Sequence, residues 1–315
     1  MKKTMHKSLR LTTSGRIGVV LAGALACASL FGGGHADADA TQNSNGTRVV
    51  YGNIPPDQIE FLSTGDRIKS VAASGSMMAI WETLEHAERV ECLSCIPAVE
   101  PLLYDANPRT REIAAWWLRR RVFGVFGKGE VYERTLQTLA SDANPQRRVA
   151  AAYAIGEFLA APGVEACANA VERDADPTVR AAAAVALGRL NDDGRGALTR
   201  ALGDVDARVK IAALGSAGRV NTFADGAAVA KLTADPDAGV RKRAADLLGA
   251  LRVRDSVQSL AQLAKGDPDA SVRNAACHAL GQLRDGAARP VLEDIAKTDS
   301  DGLVRDQAQI ALRRL

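Results

Sequence analysis

The sequence predicts an all-α, right-handed α-solenoid of about seven two-helix repeats, closed at one end by an N-terminal capping helix. Three observations predict it. An aspartate, a helix-capping residue and a basic residue recur seven times at fixed offsets. An alanine-rich helical stretch follows each copy. Aromatic residues make up only 4% of the 315 residues, which suits thin, closely packed helical layers better than one deep core.

Residues 1–40 read as a signal peptide. Lys2, Lys3, Lys7, Arg10 and Arg16 make a cationic start, and an apolar stretch from Ile17 to Phe31 follows. The small-residue triplets Ala36-Asp-Ala38 and Ala38-Asp-Ala40 offer cleavage sites that place the mature start near Asp39 or Thr41. The stretch is too short and too glycine-rich for a permanent span. Membrane attachment is expected only if Cys27 is lipidated, and Ala24 stands where that pattern prefers leucine. Export to the periplasm or another extracytoplasmic space is the expectation. It also resets the charge: residues 1–40 hold five of the 40 Lys/Arg and two of the 37 Asp/Glu, leaving 35 of each. A neutral mature chain has no field for neutralising phosphates, so nucleic acid is excluded as a partner.

Residues 41–75 read as a linker and irregular segment. Residues 76–95 read as the capping helix, carrying Met77, Met78, Ile80, Trp81 and Leu84, and a Cys-x-x-Cys turn. The repeats occupy 96–315. Their first aspartates are Asp105, Asp142, Asp174, Asp204, Asp235, Asp267 and Asp299, and their basic residues are Arg111, Arg148, Arg180, Lys210, Arg241, Arg273 and Arg305. The period is 30 to 32 residues apart from a first interval of 37, which an insertion at Phe123–Glu130 explains. The Asp or Asn two places after each first aspartate is placed to cap a helix, and Pro108, Pro145 and Pro177 suit its first position. Glycine recurs eight residues after the basic one, at Gly156, Gly188, Gly218, Gly249 and Gly281. A mid-helix glycine costs about 1 kcal/mol, so its repetition predicts close backbone approach between neighbouring helices. Arg313 replaces that glycine in the last copy, as a terminal repeat with a polar outer face requires.

The stretch Asp267-Pro-Asp-Ala-Ser-Val-Arg-Asn-Ala-Ala-Cys-His-Ala-Leu-Gly281 resembles HEAT repeats of the phycobilisome-lyase-like type, and the resemblance covers 96–315. It implies that each basic residue points into the stack and pairs with aspartate carboxylates, as a ladder through all seven aspartate–base sets. Lys210 would be a weaker, non-bidentate rung. The ladder is expected to be structural rather than a ligand site.

Chemical motifs do not assemble. The Asp-x-Asp triplets lack the glycine and glutamate of an EF-hand loop, as Asp174-Ala-Asp-Pro-Thr-Val179 illustrates. Deoxyhypusine hydroxylase, also built of HEAT repeats, binds iron through His-Glu pairs, whereas His86 and His278 here are each followed by alanine. Bilin attachment, the activity of the namesake lyases, fits poorly with an exported chain. Neither a metal nor a cofactor is expected. Cys92-Leu-Ser-Cys95 precedes Ile96, not the His of a haem-attachment motif. The reading left is a local disulfide, with free or redox-active thiols and a metal as the alternatives. Gly124–Gly129 lacks Walker spacing.

Of twelve aromatic residues beyond the signal, eleven lie between Tyr51 and Phe158. Trp116, Trp117, Arg120, Phe123 and Phe126 therefore form a candidate interface, set against the plainer reading of bulky core beneath a cap. The expected function is a monomeric, non-catalytic scaffold that binds a protein or peptide. The alternative is a redox-active or enzyme-like repeat protein working through Cys92/Cys95 or as a distant lyase or oxidoreductase relative.

Overall fold

In a computed structural model the described residues are 48–49, 63–121, 129–190 and 194–315. The expected signal peptide with Cys27, and Phe123 and Phe126 of the candidate interface, lie outside them.

The N-terminal cap is a helix pair, not a single helix. Helix α1 (Gly65–Ser74) starts where the Thr64 side chain accepts the Arg67 N–H, and α2 (Met77–His86) where Ser76 accepts from Ala79. Two short strands, β1 (Arg48–Val49) and β2 (Val90–Glu91), pair antiparallel with Arg48 opposite Glu91 and Val49 opposite Val90. The segment 41–75 is thus not wholly a linker. Its Ile68, Val71 and Ala72 sit at helical spacing, and burial of Ile68 against the first repeat fixes a helix too short to be stable alone.

A four-residue helix α3 (Ile96–Val99) and a 3₁₀ turn (Glu100–Tyr104) form the first half of repeat 1. The other first-layer helices are α5 (Glu130–Ser141), α7 (Pro162–Arg173), α9 (Arg195–Ala201), α11 (Gly226–Lys231), α13 (Val257–Gly266) and α15 (Arg289–Thr298). The second layer is α4 (Pro108–Arg119), α6 (Pro145–Phe158), α8 (Pro177–Leu190), α10 (Ala207–Ala217), α12 (Ala238–Ala250), α14 (Ala270–Leu283) and α16 (Gly302–Leu312). Caps fall on the motif: Asn107, Asn144, Asp206, Asp237, Asp269 and Asp301 each accept a backbone N–H of the first turn. The chain is therefore an all-α stack of two-helix repeats behind an N-terminal helix pair.

The glycines explain the spacing of the second layer, each facing the residue twelve places after the next repeat's first aspartate. A Cβ on Gly188 would lie 2.6 Å from Ser216 Cβ, and one on Gly249 or Gly281 would lie 2.8 or 2.9 Å from the Cα of Ala279 or Ala311. Second-layer helices consequently press together along their lengths while first-layer helices touch sparingly, so the second layer is the inside of the curve. Two junctions depart from the rule. A Cβ on Gly218 would meet the Leu247 Cδ1 at 3.4 Å, and Arg119 stands at the glycine position of repeat 1. The α10–α12 and α4–α6 contacts are correspondingly less extensive.

Candidate binding surface

The ladder is geometrically regular through its middle. Arg148 Nε and Nη2 donate to Asp174 at 2.7 and 2.8 Å while Nη1 donates to the Asp142 carbonyl of its own repeat. Arg180 to Asp204, Arg241 to Asp267 and Arg273 to Asp299 repeat this two-pronged grip, and Lys210 pairs with Asp235 through one nitrogen. Each aspartate also accepts the N–H two residues along, as Asp174 does from Asp176 at 2.9 Å. Every rung thus ties the capping turn of one repeat to the next.

The ends differ from the seven-rung expectation. Arg305 donates to the carbonyls of Asp299 and Ser300. Arg111 uses Nη1 on the carbonyls of Asp105 and Ala106 but does not reach Asp142. Arg147 takes that carboxylate at 2.8 Å and stacks on Tyr104, its guanidinium 4.1 Å from the ring centroid. Five of the other six repeats have valine, and repeat 1 has Thr110, where repeat 2 has Arg147. Asp105, preceded among the described residues by the helix pair rather than by a repeat, accepts the Asn107 N–H.

Burial pushes the carboxyls of Asp174, Asp204 and Asp267 up, but the arginine and amide hydrogen bonds outweigh it and hold them below the usual carboxylate range. Asp299 is lowered chiefly by Arg273. A carboxyl depressed on folding stabilises the fold above its unfolded pKa of about 3.9 and ceases to as the pH falls through its folded value. The melting temperature followed by circular dichroism should be level from about pH 7 to about pH 5 and drop below about pH 4. An onset above about pH 6 would contradict this origin.

Cys92 and Cys95 are joined by a disulfide with Cα atoms 5.2 Å apart, in the turn leading to α3. Cys95 is wholly buried and Cys92 nearly so, which hinders approach of an attacking thiolate. Burial pushes the free thiols of Cys167 and Cys277 up to about 12. Native protein should therefore take up no iodoacetamide at any of these four cysteines, by mass spectrometry, until reduced in denaturant. Replacing Cys92 and Cys95 by serine should cost about 2 kcal/mol for so short a loop. Rapid native labelling of both would reverse the assignment. Among the described residues no group of three or more His, Cys, Asp or Glu could hold a metal ion, and no helix is long and apolar enough to cross a membrane.

The predicted aromatic interface separates into different places. Trp117 is fully buried, its Nε1–H on the Ala87 carbonyl at 3.2 Å, and so cannot meet a partner. The buried Arg121 lies 3.8 Å over its ring and donates to the carbonyls of Ala87, Glu88 and Val90, fastening the cap to repeat 1. Trp116 is half-buried, and Arg120 is exposed and paired with Glu88.

The inner helices present a second surface, whose individual residues emerge when the helices are compared by repeat position rather than by residue type. Five places after the ladder base come Trp116, Tyr153, Val185, Gly215, Asp246, His278 and Ile310, all at least partly exposed. Four places earlier on the same helix face, Val149, Ala181 and Ile211 continue an apolar strip through repeats 2–4, whereas Lys242, Asn274 and Asp306 make repeats 5–7 polar. Reading the inner helices in register would have exposed this gradient.

A sequence model of HEAT repeats matches residues 132–218 and 226–313, more than half of the chain. The chain belongs to the HEAT-repeat family. The break between the two matched blocks falls at the loosened α10–α12 junction. The fold is similar to that of the YibA protein of Escherichia coli, 17% identical with a TM-score of 0.54, covering 84% of this chain and 99% of that one. Human deoxyhypusine hydroxylase is 18% identical with a TM-score of 0.36, covering 82% and 96%. The CpcE–CpcF complex of phycocyanin lyase from Nostoc is 21% identical with a TM-score of 0.40, covering 69% and 86%. Among curated protein sequences nothing matches.

Proposed function

We propose that this HEAT protein is an exported binding scaffold whose inner helix face receives a protein or peptide. The carrying observation is the partly exposed apolar strip of Val149, Ala181, Ile211, Tyr153 and Val185 along consecutive inner helices. Such a strip is what an extended partner covers on a curved repeat stack. Export is supported by the cationic and apolar start of the chain and by the Cys92–Cys95 disulfide, which belongs to an oxidising compartment. A photo-crosslinking residue at Val185 or Ile211 should capture one reproducible partner in the envelope fraction, while the same residue at Glu165 or Gln258 on the outer layer should not. Crosslinks confined to the outer sites would overturn the reading.

The second reading is enzyme-like, a role that the lyase and hydroxylase among the similar structures make worth testing. Its specific feature is the Cys92–Cys95 pair. Reversible reduction in the native protein by a dithiol exchange protein, with a product retained on Cys92, would favour it. Burial of both sulfurs argues for a structural bond instead.

A further inference from the structure

The α4–α6 junction opens a cleft of about 420 Å³ on the inner face, where Arg119 replaces the close-packing glycine. Leu103, Ala115, Ala150 and Ala154 give it an apolar floor, and Tyr153 stands exposed at its wall. Its charges do not balance. The lining carboxylates, Glu112 and Glu157, are already paired with Arg109 and Arg189. Arg111 and Arg219 also line it, and neither has a carboxylate within reach among the described residues. Arg111 is the telling one. At four other ladder positions the arginine's Nε–Nη2 edge grips an aspartate with two hydrogen bonds, and here that edge is open because Arg147 has captured Asp142.

We propose that this cleft is a peptide subsite that takes an apolar side chain next to an aspartate. The apolar group fills the floor beside Tyr153, and the aspartate carboxylate supplies the missing rung on Arg111 with Arg219 adding attraction. The ladder itself argues for an aspartate side chain, since that group satisfies this arginine edge in the later repeats. The inference rests on the inner-face reading above and adds the chemistry of one subsite to it.

The probes are fluorescein-labelled hexapeptides, acetylated and amidated, with a central leucine followed by aspartate or by asparagine. A third peptide has the asparagine and a free C-terminal carboxylate. Fluorescence anisotropy with full-length mature protein at up to about 1 mM should show the aspartate peptide binding at least roughly tenfold tighter than both others. Arg111→Gln should reduce that preference to less than about twofold. Arg147→Val provides the independent variant: it restores the residue type of the later repeats, frees Asp142 to occupy Arg111, and should abolish the preference without lowering the melting temperature. Hydrogen exchange should show the aspartate peptide protecting α4 and α6. Equal binding of the aspartate and asparagine peptides, a preference surviving Arg147→Val, or the free-carboxylate peptide binding as well as the aspartate one would each overturn the subsite. So would no binding at all. Protection of α8–α12 without discrimination between the peptides would sink the subsite while leaving the inner-face reading standing.

Discussion

Arg241→Met is expected to destabilise the stack by about 3–5 kcal/mol, because it leaves a buried carboxylate without its partner. The Asp267 side chain is only 2% exposed and receives both prongs of Arg241, at 2.6 and 2.9 Å. Methionine has similar length and no charge, so packing is largely retained and the loss reports the stranded anion. Adding Asp267→Asn should recover at least about 1 kcal/mol, since a neutral amide oxygen can still accept the Asp269 N–H. Because repeats stabilise only their neighbours, the damage should be local. Hydrogen exchange should rise in α12 and α14 well before α6. A single-variant loss under about 1 kcal/mol in urea unfolding would show the ladder to be ornamental.

Trp117→Ala should cost about 3–5 kcal/mol, and its consequences separate core from interface. The ring is fully buried, donates to the Ala87 carbonyl and is the platform for Arg121. Removing it leaves a cavity and unseats a cation that holds three carbonyls of the cap. Trp117→Phe keeps most of the volume and loses the hydrogen bond, so about 1–2 kcal/mol is expected. Thermal unfolding of Trp117→Ala should show α1 and α2 melting ahead of repeats 2–7. The cap and repeat 1 share a core cluster with Val131, Tyr132, Ala154 and Phe158 of repeat 2, distinct from the one that runs through the later repeats. Unchanged stability with lost partner capture would return Trp117 to the interface.

The repeat stack was legible because it is written seven times. Capping residue, base and glycine occupy fixed offsets, and each offset has a local physical cause that needs no knowledge of distant residues. The cap was less legible. The run Gly65–Ser74 is too short for its periodicity to speak alone, and it becomes helical because Ile68 buries against the first repeat. The aromatic cluster divides for a related reason. Trp116 and Trp117 are adjacent, yet about 100° of helical turn sends one to the inner face and the other into the core.

By itself, therefore, the sequence determined the repeat architecture, its period, its caps and the identity of most rungs, since these depend on residues a fixed distance apart along the chain. Only the tertiary structure decided which cations lack partners and where the stack gapes. Arg147 takes Asp142 in place of Arg111 across a repeat boundary, and the helices pack less extensively at the Arg119 and Leu247 junctions than where glycine faces alanine or serine. Such outcomes are contests between side chains brought together from different repeats. They are settled by reach and volume at the contact, quantities a repeat pattern does not contain.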